Sequence, residues 1–204
     1  MITSDVIEAI KMALEKIEKR YISLSQKDYS KVIANPSLVE RFSEDKVLER
    51  PFAYEFYHQF RNLINKGIVD FGSPIIQAEV DKTYQHCFEN NDTSTKKGKI
   101  PDFLVHLPDK SEQNLAVVEF KLATNLAKIE SDLSKLVEFK TNKHLHYDYG
   151  VEVIIGDSES LKKAKANIEK LEKTEGEEIW IVYFNTDSMK ANSQSHLHPK
   201  SKSA

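Results

Sequence analysis

Cysteine is almost absent. Cys87 stands alone among 204 residues, so no disulfide can form within the chain and nothing in it requires an oxidising compartment. Long apolar runs are missing too. No stretch approaches the roughly 20 residues that span a bilayer. Asp5, Glu8 and Glu15 also sit where a signal peptide would carry no acid, so a cytoplasmic protein without a membrane partner is expected. Basic charge is in short supply as well. Lys and Arg number 29 against 32 Asp and Glu, a formal net charge of −3, which counts against a protein that grips nucleic acid by overall positive charge. Any such contact has to come from a local patch or from a small, metal-screened site. No internal repeat, zinc finger, helicase motif or evident helix-turn-helix is present. What remains has the composition of one globular domain with a single core.

The chain is organised around residues 101–121. Two short apolar runs, DFLVH and NLAVVEFKL, are joined by the polar connector PDKSEQN, a pattern that predicts a hairpin. Pro101 suits the start of a strand but not its interior. Side chains alternate along a strand, so Ile100, Asp102, Leu104 and His106 share one face, and Leu115, Val117, Glu119 and Lys121 share another. Glu119 and Lys121 end a run that is otherwise apolar, where charges are rarely placed unless paired or coordinating. Pairing across the hairpin brings Asp102 beside Glu119, with Lys121 next to both. Two adjacent carboxylates repel unless one is protonated or a cation lies between them. A divalent metal resolves this most simply, and magnesium typically uses one or two carboxylates together with waters and substrate phosphates.

Pro101-Asp102, sixteen residues, then Glu119-Phe120-Lys121 resembles the PD-(D/E)XK nuclease superfamily. That resemblance implies Asp102 and Glu119 as ligands of a catalytic Mg2+, with Mn2+ as a substitute, and Lys121 as the residue that assists the attacking water. It further implies a helix before the first core strand that sends a Glu to the metal. In the segment RPFAYEFYHQFRNLINKG (50–67), Glu55 takes that position, and Glu55, His58, Gln59 and Asn62 form a polar stripe opposite an apolar one. Gln59 is the better candidate for touching substrate and His58 the weaker; the plain alternative for all three is a solvated helix face. Lys97 and Lys99, just before Asp102, are candidates for phosphate contact, although solubility explains them as well.

Elsewhere, residues 4–21 read as one amphipathic helix capped by Thr3 or Ser4, and Asn35-Pro36 starts a short one. IIQAEVDKTY reads as a strand, in which Glu79 is either near the site or simply exposed. A helix follows Asn125, a buried strand covers 149–157, a charged helix begins at Ser158, and the last strand covers 179–184. From Thr186 the chain turns to Ser, Asn, Lys and His, which predicts a tail without structure. The expected organisation is a helical extension (1–49), a nuclease-like domain (50–185) and that tail (186–204). The expected fold is α/β, a restriction-endonuclease-like α-β-β-β-α-β core with a mixed central sheet flanked by helices. The function implied is metal-dependent hydrolysis of phosphodiester bonds in DNA rather than RNA, in a restriction, defence or repair setting, by a homodimer or a larger complex. Two alternatives stay open: an inactive nuclease-fold subunit working within a complex, and an RNA-directed nuclease.

Overall fold

The computed structural model describes residues 2–24, 46–79, 100–108, 113–142, 145–171 and 175–199. Its centre is a mixed sheet of six strands, hydrogen-bonded in chain order from Ile75–Ala78 at one edge to Lys190–His198 at the other, with helices on both faces. Two short elements, β1 (Ser23–Leu24) and β2 (Lys46–Val47), pair separately.

The predicted hairpin is present. Strands β4 (Phe103–His106) and β5 (Asn114–Leu122) run antiparallel with Phe103 opposite Val118 and Leu104 opposite Val117. On the outer side of β4 lies β3 (Ile75–Ala78), followed by Glu79; positions 80–84 of its sequence pattern lie outside the described residues. Beyond β5 the connections become parallel crossovers. Helix α4 (Leu126–Thr141) links β5 to β6 (Tyr149–Gly156), and α5 (Ser158–Leu171) links β6 to β7 (Glu177–Asn185). Strands covered on both faces are expected to be apolar throughout, and the VIIG and IVYF runs are.

Alternation sends the two sides of each strand into different cores. Phe103, Ala116, Val118, Phe120, Val151, Val153 and Phe184 face α1 (Val6–Leu14) and α3 (Glu49–Asn65). Leu104, Val117, Ile154, Ile181 and Tyr183 face α4 and α5. Gly150 is what lets α4 settle onto the sheet: a Cβ there would lie 2.8 Å from Ile179 Cδ1 and 3.3 Å from the Leu136 Cβ. Among the described residues, no helix is long and apolar enough to cross a membrane.

Several expectations need correction. The predicted N-terminal helix is two: α1 ends at Leu14, and a four-residue α2 (Lys19–Ile22) follows. Its cap is Asp5, whose carboxylate accepts from the N–H groups of Ile7 at 2.9 Å and Glu8 at 3.1 Å. The apolar face of α1 is buried in the same core as the sheet, so the helix belongs to the body of the protein. The largest correction concerns the supposed tail. Residues 190–198 form β8 (Lys190–His198), paired with β7 along nine residues from Lys190 opposite Asn185 to His198 opposite Glu177. Composition concealed it because its buried positions are Ala191, His196 and His198, none of them a large aliphatic residue. The helix expected at Asn35-Pro36 lies outside the described residues.

Candidate functional site

The ladder that places Phe103 against Val118 brings the preceding residue, Asp102, opposite Glu119. Asp102 is tied there by its Oδ2, which accepts from the Phe120 N–H at 2.8 Å. Glu119 and Lys121 point toward α4, both nearly buried. In the parallel neighbour β6, Glu152 pairs with Glu119 in register and faces the same helix. Neighbouring positions at the head of β4 and within β5 and β6 therefore each carry an acid.

Helices supply the balancing groups. Asp132 and Lys135 of α4 are one turn apart and reach down onto β5. Lys135 Nζ lies 2.7 Å from Glu119 Oε1, and Lys121 Nζ lies 3.2 Å from Asp132 Oδ2. Lys121 also donates to Glu49 Oε1 at 3.2 Å, from the first turn of α3. Lys135 donates in addition to the Ile100 carbonyl at 2.9 Å, which fixes the backbone just ahead of Pro101-Asp102. Five acids thus surround two lysines (Asp102, Glu119, Glu152, Asp132 and Glu49 around Lys121 and Lys135).

This imbalance is visible in the protonation of each group. Burial is the chief influence on Glu119. Together with the Asp102 carboxylate, it outweighs the Lys135 ammonium and pushes the pKa up to about 8. Asp102 is raised for the same first reason, with the Phe120 N–H and the two lysines opposing. Glu152 is wholly buried, neither of its carboxyl oxygens has a hydrogen-bond partner among the described residues, and desolvation followed by Asp132 and Glu119 drives its pKa well upward. The Lys121 pKa is also raised, which for an amine favours the charged form. Desolvation pulls on it most strongly, yet Asp132 and Glu49 together overcome that and keep it charged.

Asp102 also lines a cleft of about 200 Å3 with Glu49, Arg50, Ala53, Tyr54, Ala78 and Glu79, so two members of the cluster, Asp102 and Glu49, border it. Glu79, close to the site as one reading of the sequence allowed, adopts φ 51° and donates its N–H to the Asp102 carbonyl at 3.3 Å.

Of the residues singled out from sequence, Asp102, Glu119 and Lys121 come together. Glu55 is elsewhere engaged: it accepts from Gln59 Nε2 at 2.7 Å, and the acid of α3 that meets Lys121 is Glu49, six residues earlier. Gln59 shares that contact with Glu55, and His58 hydrogen-bonds to Asn62 at 3.0 Å. Lys97 and Lys99 lie outside the described residues. Among the described residues, no three His, Cys, Asp or Glu side chains converge closely enough to hold an ion by themselves. Glu152, Glu49, Asp132 and Lys135 were not anticipated. Glu152 carried a readable signal, an acid inside the apolar run GVEVIIG.

No family model matches the chain, and no curated protein or solved structure is significantly similar to it.

Proposed function

We propose that the protein is a metal-dependent phosphodiesterase acting on nucleic acid, with a restriction-endonuclease-like core and a PD-(D/E)XK site formed by Asp102, Glu119 and Lys121. The observation that carries this reading is the convergence of those three side chains, in the register their motif spacing requires, beside a cleft onto which Asp102 opens. The donor set suits magnesium. Two carboxylates leave the remaining positions to water and phosphate oxygens, which is how magnesium is usually held, whereas calcium calls for a fuller oxygen cage. Glu152 adds to the fit, because its unpartnered buried carboxyl deepens the local excess of acid.

Asp102 and Glu119 would hold the metal. When bound there, Mg2+ supplies Lewis-acid polarisation of the scissile phosphate and charge compensation for the leaving oxygen. Lys121 keeps its ammonium charged through Asp132 and Glu49, so it can orient a water and stabilise developing negative charge. Binding must expel the proton that Glu119 holds near neutrality, so metal affinity should rise with pH up to about 8 and level off above it. Calorimetry with Mg2+ and Mn2+ across that range tests the site independently of activity. A cleavage assay on DNA and RNA tests the function: if neither is cut and no metal binds, the reading fails.

One observation favours a second reading. Lys135 sits against Glu119 at 2.7 Å, where an ammonium already serves as counter-cation. In that case the cluster is a buried ion-pair network in a nuclease-fold binding subunit that works in a complex. The Lys135→Met variant separates the two, since it should strengthen metal binding in an enzyme and only destabilise a structural network.

A further inference from the structure

The helix that opens the site carries four aromatic residues in its first two and a half turns, and they are not treated alike. Phe52 and Phe56 are fully buried and Tyr57 is partly so, but Tyr54 is 54 % exposed. A single exposed aromatic is ordinary on a protein surface. Its location is not. Tyr54 lines the cleft that reaches Asp102, with Ala53 and Ala78 beside it and Arg50 one turn earlier on the same face of α3.

The charges of that cleft decide what it can hold. Glu49, Glu79 and Asp102 are acidic, and the one cation among the described lining residues, Arg50, is 3.8 Å from Glu79. Three acids against one cation make this described lining a poor grip for a run of phosphates. The apolar part of the lining accepts a flat, uncharged surface instead. A volume of about 200 Å3 is below the roughly 300–1,000 Å3 of sites that enclose a whole ligand, so the cleft suits one flat portion of something larger.

Resting on the nuclease reading above, we propose that Tyr54 is a stacking platform for an unpaired nucleobase, which makes single strands or strand ends the substrate class of this site. Base stacking tolerates any sequence because every base has a π-face. A base inside a duplex cannot offer that face, so selection against paired nucleotides follows from geometry. Arg50 contacts the adjoining phosphate. With one cation involved, affinity depends only weakly on salt, unlike that of proteins that cover many phosphates.

The test is fluorescence anisotropy with a labelled oligothymidylate and with a duplex, in Ca2+ and in chelator, and it reads binding whether or not cleavage occurs. Oligothymidylate binds more tightly than the duplex, Tyr54→Ala weakens it by about 10- to 100-fold, and Tyr54→Phe stays within about threefold of wild type. Equal binding by wild type and Tyr54→Ala, or a Tyr54→Phe variant as weak as Tyr54→Ala, overturns the platform. Wild type that binds no oligonucleotide overturns both the platform and the nuclease reading. Tyr54-dependent binding without cleavage in Mn2+ upholds the platform and removes only the enzyme.

Discussion

The two faces of the central sheet, built from alternate residues of the same strands, are opposites. Toward α1 and α3, β5 presents Ala116, Val118 and Phe120, and the layer is aromatic: Phe56 meets Phe103 and Phe120 with ring centroids 5.0 Å apart, and Phe52 meets Phe184 at 5.4 Å. Toward α4, the next residues of the same strand are Val117, Glu119 and Lys121, and β6 adds Glu152. One face buries hydrocarbon that needs no partner. The other buries ionisable groups, which must either pair with an opposite charge or shift toward the neutral form. A fold that needed only stability would have no reason to treat its faces so differently, and the acidic face is where function is expected.

Acidity and alkalinity should separate the faces most strongly. Glu119 binds its proton more tightly when folded than when unfolded, so its favourable contribution is complete below the usual Glu pKa and is lost as pH rises through about 8. A shift from 4.5 to about 8 corresponds to a stability loss of up to about 5 kcal/mol across that window, and Glu152 acts in the same direction. Chemical denaturation at pH 5 and pH 9 measures it; Glu119→Gln should flatten the profile, and a stability that rises with pH would contradict the buried-acid account. On the aromatic face, Phe60→Ala should cost about 3–5 kcal/mol at any pH while leaving metal affinity unchanged. Asp102→Asn and Lys121→Met should each lower cleavage at least about 100-fold, close to 3 kcal/mol, with the circular dichroism spectrum of the wild type. Glu49→Gln, which loosens Lys121 without removing it, should cost about tenfold in rate. Glu55→Ala is the smallest change, within about 0.5 kcal/mol in stability and without effect on rate, because among the described residues Glu55 meets Gln59 of its own helix. A large activity loss there would restore Glu55 to the site in place of Glu49.

How much of this was legible in the chain differs by element. Local signals sufficed for the β4–β5 hairpin: alternation set its faces, and polar residues in an apolar run marked Glu119 and Lys121. The same rule applied to GVEVIIG would have found Glu152. Asp132 was also within reach, since it borders the Ile129, Leu133 and Leu136 stripe of α4. Glu49 was not, because the choice between it and Glu55 depends on how α3 is rotated against the sheet, and that is settled by Phe52, Phe56 and Phe60 docking on distant strands. Strand β8 escaped for a different reason. Its pairing partner supplies the hydrophobic residues, so the strand itself could remain polar.

Strand β8 also ties together parts of the chain made far apart in time. Lys190 Nζ reaches Glu15 Oε2 at 3.3 Å, the Ala191 N–H donates to Glu15 Oε1 at 3.4 Å, and Ala191 packs into the core that α1 closes. Helix α1 is made well before β8, so one side of its seat is a strand synthesised some 175 residues later. Until then its apolar stripe is only partly covered, and a nascent chain stalled before β8 would present both that stripe and the bare edge of β7 to chaperones.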